Sequence, residues 1–199
     1  IERFNAAMVA AEPYLDTPLF VESHRLAPFS PRSTDVGVVL DLMIHDLDIV
    51  LSLVNSPVKT CYAVGTCVHS DREDIASVSL TFENHCVAHL TASRATQDKV
   101  RTLAVTQRDT YIFLDYAKQD IHVHRRATSE HTLTQEQLRY RQEAFIERIF
   151  VHKDNPLKLE IRHLLRTAAN GADPSRLKDA EKDLRSLRLA VEILSQIHG

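Results

Sequence analysis

The sequence predicts an α+β fold in which one mostly antiparallel sheet is covered on one face by helices. Helical patterns occupy both ends of the 199-residue chain, and a run of strand patterns fills the region between them. Hydrophobic residues make up 44% of the chain and charged residues 26%, as in an ordinary globular protein. We therefore predict one domain over residues 1–199, with its core in 15–126 and C-terminal helices in 157–198.

Before residue 57 the patterns predict two helices separated by one strand. The ranges are about Arg3–Glu12 and Gly37–Val54 for the helices and Leu19–Leu26 for the strand. Pro13 ends the first helix. The loop 27–35 contains two prolines, and Thr34 or Asp35 at its end can cap the second helix.

A block of strands follows the second helix. Alternation of apolar and polar residues and β-rich composition predict the strands Val58–Val68, Ile75–Phe82, Cys86–Ala95, Arg101–Thr106, Tyr111–Leu114 and Ile121–Arg125. Glu83–His85 forms a hairpin turn between two of them. The polar segment 128–139 is predicted as loop or linker. A sheet covered on one face only leaves its second face open, which favours a dimer or larger homo-oligomer through that face.

Two helices end the chain. Leu157–Asn170 has a helical pattern with Gly171 at its C-terminal end. Asp173-Pro174-Ser175 opens the last helix, which continues to about His198.

Composition excludes several classes of function. A net charge of −3 and a pI of about 6.4 give no basic surface for nucleic acid. No apolar run approaches the roughly 18 residues of a membrane helix. The odd set Cys61, Cys67 and Cys86 is expected as buried, reduced thiols. With no leader peptide at Ile1, we expect a cytoplasmic protein cut from a longer chain.

Asp41 and His45 are the most informative residues, because they interrupt the otherwise apolar stretch Gly37–Val54. At a spacing of four on a helix the two side chains lie on one face. A carboxylate beside an imidazole can orient it for proton transfer near neutral pH. The pair can equally be a buried structural pair. A third interpretation adds Asp48 as a metal ligand, although no second ligand cluster accompanies it.

Several motifs together resemble the C-terminal domain of the glucose–fructose oxidoreductase and inositol dehydrogenase (Gfo/Idh/MocA) family. They are Glu2-Arg-Phe-Asn5, Gly37-x-x-x-Asp41-x-x-x-His45-Asp46-x-Asp48, Asp74-Ile-Ala76 and Ser93-Arg94. The resemblance is good over about residues 1–125 and looser through the last helix. It implies a substrate-binding and oligomerisation domain whose Rossmann partner domain, which binds NAD or NADP, is absent here. The four glycines of the chain cannot form a Gly-rich phosphate loop.

The resemblance also assigns roles to residues. His45 is implied as the acid/base on a sugar hydroxyl or carbonyl, and Asp41 as its support. Arg3 and Asn5 are expected on the cofactor side, because their stretch directly follows the Rossmann domain in the family. No metal is implied.

The loop before the second helix is most similar to family members that act on nucleotide-activated sugars, such as UDP-N-acetylglucosamine 3-dehydrogenases. His24 and Arg32 beside this loop, with Arg94 after the hairpin, are expected to bind substrate, and Arg25 belongs to the same region. Arginine suits bidentate recognition of phosphate, although Arg25 and Arg32 can instead pair with carboxylates. The implied function is the catalytic wall of an NAD(P)-dependent sugar dehydrogenase, inactive by itself. The alternative is a non-catalytic ligand-binding or dimerisation module.

Overall fold

A computed structural model describes residues 2–31, 35–126, 133–134, 137–138, 144–169 and 175–199. Its helices are the 3₁₀ turns Glu2–Phe4 and Glu12–Tyr14, α1 (Ala6–Ala11), the π-helical turn Val39–Met43, α2 (Ile44–Val54), α3 (Pro156–Ala169) and α4 (Ser175–His198). Its strands are β1 (Phe20–Leu26), β2 (Val58–Thr66), β3 (Ile75–Phe82), β4 (Val87–Ser93), β5 (Val100–Thr106), β6 (Thr110–Asp115), β7 (Asp120–Arg126), β8 (Leu133–Thr134), β9 (Gln137–Leu138) and β10 (Ala144–Ile149). The continuous segment Val39–Val54 is called the site helix below.

Within the described residues, eight strands form one sheet in the order β10-β7-β6-β5-β1-β4-β3-β2. Every neighbouring pair is antiparallel except β1 and β4, which are parallel. The parallel pair follows from the connection, because the chain leaves β1, crosses the sheet through the site helix and returns by the β2–β3–β4 meander. The predicted fold class, a mostly antiparallel sheet with helices on one face, is confirmed.

The hydrophobic core lies between the site helix, α4 and one face of the sheet. Alternate residues of each strand point into it, as the period of two requires. The fully buried members include Val21, Val78, Leu90, Leu103 and Leu114 from the sheet, Met43, Leu47 and Val50 from the site helix, and Ala190 and Ile193 from α4. The site helix is thus fixed over the centre of the sheet by apolar packing.

The edge strand β2 is closed by a side chain of α4. Gln196 Oε1 accepts the Ala63 N–H at 3.0 Å, and Gln196 Nε2 donates to the Cys61 carbonyl at 3.2 Å. An unpaired edge would otherwise present these backbone groups for association with another strand. The amide therefore ends the sheet on this side.

The opposite sheet face carries no helix among the described elements. It presents Phe20, Glu22 and His24 of β1 beside Val87, His89 and Thr91 of β4, as the strand register shows. Further out lie Tyr62 and Val64 of β2, which are 69% and 49% exposed. This surface, from β2 across to β7, is called the open face below.

Most predicted elements match the structure to within two residues at each end, with three differences. The first predicted helix is a 3₁₀ turn, α1 and a second 3₁₀ turn that contains Pro13. Strands β8, β9 and β10 were not predicted, and β8 and β9 lie in the segment 128–139 that was predicted as loop or linker. Cys86 is buried and Cys61 half-buried, but Cys67 is exposed, so the expectation of three buried thiols was wrong. The Gly171 and Asp173-Pro174 predictions lie outside the described residues.

Candidate active site

The candidate site is built on the first half of the site helix. Asp41 lies in the π-helical turn and His45 in the first turn of α2, and both side chains are half-buried. The turn is wide because the Ile44 N–H donates to the Val39 carbonyl, five residues back. Single π turns inside helices are frequent at functional sites. Among the described residues the Asp41 and His45 side chains share no hydrogen bond.

The surroundings of His45 favour a neutral imidazole. Burial lowers the pKa of His45 below its ordinary value, and the positive charge of Arg25 lowers it further. The carboxylates of Glu2 and Asp46 act in the opposite direction without reversing the shift. A neutral ring at neutral pH can accept a proton from a bound hydroxyl group.

Arg25 lies under the site helix and is 2% exposed. Its Nε and Nη2 donate to the two carboxylate oxygens of Asp46 at 2.8 and 2.9 Å, and its Nη1 donates to Glu2 at 2.8 Å. Its guanidinium also stands 5.9 Å from the ring centroid of the buried Tyr116. Arg25 is thus a structural residue of the site, because its N–H groups already donate hydrogen bonds to the carboxylates of Asp46 and Glu2.

The residues expected on the cofactor side have different surroundings. Arg3 Nε donates to Asp48 Oδ2 at 2.7 Å, with a second hydrogen bond from Arg3 Nη2 to Asp48 Oδ1, and both side chains are partly exposed. Asn5 is buried; its Oδ1 accepts the Ala7 N–H at 3.1 Å as the cap of α1, and its Nδ2 donates to the Tyr116 carbonyl at 3.2 Å. Of the two, only Arg3 reaches the surface.

Arg94 is buried in a second ion pair. Its Nε donates to Asp74 at 2.6 Å, its Nη2 to Ser70 at 2.8 Å and its Nη1 to the Val36 carbonyl at 2.7 Å. The last bond connects the ion pair to the residue before Gly37, where the chain enters the site helix. These contacts favour a structural role for Arg94 over the predicted contact with substrate.

Asp74 organises the loop beside Arg94. Its Oδ2 accepts the backbone N–H groups of Val68, His69 and Ser70 at 2.6–2.9 Å. Burial alone would raise the pKa of Asp74, but the hydrogen bonds from the His69 backbone and from Arg94 hold it well below its usual range. Asp74 is therefore a carboxylate at every pH at which the protein is expected to work.

Among the described residues, Glu73 and not the predicted Asp35 caps the N-terminus of the site helix. The Glu73 carboxylate accepts the Val39 N–H at 3.3 Å, its backbone carbonyl accepts the Val38 N–H at 2.9 Å, and His198 Nε2 lies 3.0 Å from its second oxygen. Asp35 is exposed, and Thr34 lies outside the described residues. No local sequence signal identifies Glu73, because it is 34 residues from the helix that it caps.

Of the remaining predicted substrate-binding residues, the structure describes His24, which lies on the sheet face opposite to the site helix. His24 is exposed on the open face, whereas its neighbour Arg25 points under the site helix. Arg32 lies outside the described residues. In the described part of the chain no group of three His, Cys, Asp or Glu side chains could hold a metal ion, so Asp41, His45 and Asp48 do not converge as ligands.

Comparison with known proteins identifies the domain. Residues 14–112 match the family described as the GFO/IDH/MocA C-terminal domain. This part of the chain belongs to the GFO/IDH/MocA family. The resemblance found in the sequence motifs is thereby confirmed.

Individual relatives of the GFO/IDH/MocA domain include UDP-N-acetylglucosamine 3-dehydrogenase from Acidithiobacillus ferrooxidans, which is 38% identical over 109 residues. That alignment covers 55% of this chain and 35% of the relative. The solved structure of that enzyme superposes with a TM-score of 0.82 at 28% identity, over 98% of this chain and 59% of the enzyme. The chain thus spans little more than half of the solved relative.

A more distant neighbour has the same fold. Levoglucosan dehydrogenase in complex with NADH and L-sorbose superposes with a TM-score of 0.69 at 15% identity, over 98% of this chain and 63% of that protein. No helix among the described residues is long and apolar enough to cross a bilayer.

Proposed function

We propose that the chain forms the catalytic wall of an NAD(P)-dependent dehydrogenase that acts on a hydroxyl or carbonyl group of a sugar or nucleotide sugar. The observation that carries the proposal is His45. It is a half-buried histidine with a lowered pKa, placed in the α-helical turn that directly follows a π-helical turn, in a chain 38% identical to a UDP-N-acetylglucosamine 3-dehydrogenase over 109 residues.

His45 is the acid/base in this proposal. During oxidation the neutral imidazole accepts the proton of the substrate hydroxyl, and during reduction the imidazolium returns it to the alkoxide oxygen. Asp41 supports the ring from one turn away. Its lack of a hydrogen bond to His45 in the free chain fits this role, because catalytic hydrogen bonds often tighten only when substrate binds.

The nicotinamide, when bound, exchanges hydride with the substrate carbon. The two residues expected on the cofactor side fit only the edge of such a cofactor, because Asn5 is buried with both amide atoms hydrogen-bonded and, of the two, only Arg3 reaches the surface. We propose that NAD or NADP is held mainly by residues outside this chain, with Arg3 at the boundary. The chain by itself is then inactive.

The experiment replaces His45 in the full-length protein that contains this chain. His45→Ala is expected to lower kcat by about 10²–10⁴-fold, the usual contribution of a general acid/base. Asp41→Asn is expected to lower kcat less. Steady-state kinetics with UDP-N-acetylglucosamine and NAD or NADP measure both effects.

His152→Gln is the matched control, because His152 is exposed in the segment before α3 and takes no part in the site. It is expected to keep the parent kcat. Full turnover by His45→Ala would overturn the acid/base assignment and would favour the non-catalytic module, with Asp41 and His45 as structural residues.

We also propose that the protein is a homo-oligomer, a dimer or tetramer, associated through the open face. This surface extends over the strands from β2 to β7, and it combines the exposed Tyr62 and Val64 with small polar residues such as Ser77. Pairing two such faces would bury apolar surface that each copy otherwise exposes to water.

A further inference from the structure

Arg25 is the largest fully buried side chain of the described residues and carries a charge. It connects three elements: β1, on which it lies, the site helix through Asp46, and the 3₁₀ turn Glu2–Phe4 through Glu2. An isolated charge in this position would be costly, so its three hydrogen bonds to Asp46 and Glu2 must be maintained together. Asp46 follows His45 directly in the chain.

We propose that Arg25 is a positioning residue for His45. Through Asp46 it fixes the rotation of the site helix, and its buried positive charge favours the neutral imidazole, which can accept a proton. The inference rests on the proposed function, in which His45 is the acid/base. It adds to that function a residue from a different element of the fold that does not touch substrate.

Arg25 and Asp46 are joined by two hydrogen bonds, one to each carboxylate oxygen. Two parallel N–H···O bonds between planar groups fix orientation as well as distance. Rotation of the site helix would break both bonds, at 2.8 and 2.9 Å, and would move His45 with Asp46. A lysine can supply the positive charge but cannot form the same two parallel hydrogen bonds to a carboxylate.

Charged side chains from three elements surround His45. Arg25 faces it from β1, Glu2 from the N-terminal turn and Asp46 from the site helix itself. Burial and Arg25 lower the pKa of His45, whereas Glu2 and Asp46 raise it. Removing Asp46 and removing Arg25 should therefore move the His45 titration in opposite directions.

The experiment uses the full-length protein in three variants. Asp46→Asn leaves Arg25 paired with Glu2. Adding Arg25→Met to Asp46→Asn removes the positive charge while Glu2 keeps Arg101, 3.9 Å away. Arg25→Lys keeps the charge and loses the two-bonded contact. The His45 ring is titrated by NMR, with His45→Gln used to assign its signal, and the acid limb of kcat/KM for oxidation is measured in parallel.

Three results are expected. Asp46→Asn moves the His45 titration and the acid limb to lower pH. The Arg25→Met/Asp46→Asn variant titrates at higher pH than Asp46→Asn. Arg25→Lys titrates close to the parent protein but has a lower kcat. Denaturant unfolding of each variant verifies that the folded state is populated.

Asp74→Asn is the control, because it weakens the other buried ion pair, and neither Asp74 nor Arg94 contributes to the His45 shift. It should leave the His45 titration unchanged. Equal titrations of Asp46→Asn and the double variant, a parent kcat in Arg25→Lys, or an equal shift in Asp74→Asn would each overturn the inference. If the NMR titrations move as expected and the rate profiles do not follow, the proposed function fails instead.

Discussion

At the scale of single residues, Gly37 shows how tightly the start of the site helix is built. A Cβ atom at this position would lie 1.9 Å from Glu73 Oε1, far inside van der Waals contact. Glu73 cannot easily move aside, because its carboxylate caps Val39 and contacts His198. Glycine is thus required here by the close approach of a capping carboxylate.

We therefore expect Gly37→Ala to lower the free energy of unfolding by about 1–3 kcal/mol, the usual cost of forcing an extra carbon into a packed site. The loss should be accompanied by lower kcat, because the same displacement shifts the turn that carries Asp41. Urea unfolding monitored by circular dichroism measures the first effect, and steady-state kinetics measure the second.

Gly65→Ala is the comparison for this prediction. Its Cβ would lie 2.9 Å from Ile197 Cγ2 and 3.1 Å from the Ile75 backbone carbonyl, and both contacts are much longer than the 1.9 Å contact with Glu73 at Gly37. The loss of stability at Gly65 should be smaller. If Gly37→Ala and the parent protein are equally stable, the Glu73 side chain can adopt another conformation that makes room for the added carbon.

Sequence patterns identified His45 and Asp41 because polar residues stand out in an apolar helix. The partners of the site could not be found in this way. Arg25 meets Asp46 across 21 residues and Glu2 across 23, and Arg94 meets Asp74 across 20. Periodicity describes neighbours on one element, so it cannot distinguish an arginine that meets a buried carboxylate from one that faces substrate.

At the scale of elements, the strands with one buried face were predicted well, because burial on one side imposes alternation. Strand β10 has the sequence Ala144-Phe-Ile-Glu-Arg-Ile149, which does not alternate, and Phe145 and Ile146 are both exposed. The π-helical turn was also not predicted, because Val39–Met43 has the composition of an ordinary apolar helix. Both features depend on tertiary packing.

The loop before β3 is held by Asp74, and its stability should depend on pH. The pKa of Asp74 is lower in the folded chain than in the unfolded chain, where the pKa of an aspartate carboxyl group is about 3.9. Its contribution is therefore complete above that pH and is lost as the pH falls toward the folded-state pKa. We expect the free energy of unfolding to decrease with acidity below about pH 4.

Asp74→Asn should remove much of this acid dependence and lower the stability at pH 7 by about 3 kcal/mol, because it leaves Arg94 without its buried carboxylate. Guanidinium unfolding at a series of pH values measures both effects. Asp71→Asn, an exposed change in the same loop, is the control and should match the parent protein. An Asp74→Asn protein with the parent's acid dependence would show that other carboxylates cause it.

At the scale of the whole molecule, the two faces of the sheet differ, because one is covered by helices and the other is exposed to solvent. The helix-covered face holds the core and, at the ends of β1 and β4, the site with His45. The open face carries His24, Tyr62 and the other residues of the proposed subunit interface. The separation means that association can be weakened without a direct change to the site.

Light scattering of the full-length protein should therefore report a dimer or tetramer. Thr91→Arg, at the centre of the open face between His24 and Ser77, should shift the protein to monomers, because a buried unpaired charge would oppose contact of two copies. Val191→Arg, on the exposed side of α4, adds the same charge elsewhere and should leave the assembly intact.

The unfolding of these two variants distinguishes lost association from lost folding. Thr91→Arg lies on a surface that is open in a single copy, so a monomer should tolerate it and unfold cooperatively. If the assembly survives Thr91→Arg with its mass unchanged, subunits contact one another through a different surface. In that case the exposed apolar residues of α3, Leu164 at 63% and Leu165 at 65%, become the next surface to test, because a helix face of that kind is also costly to leave in water.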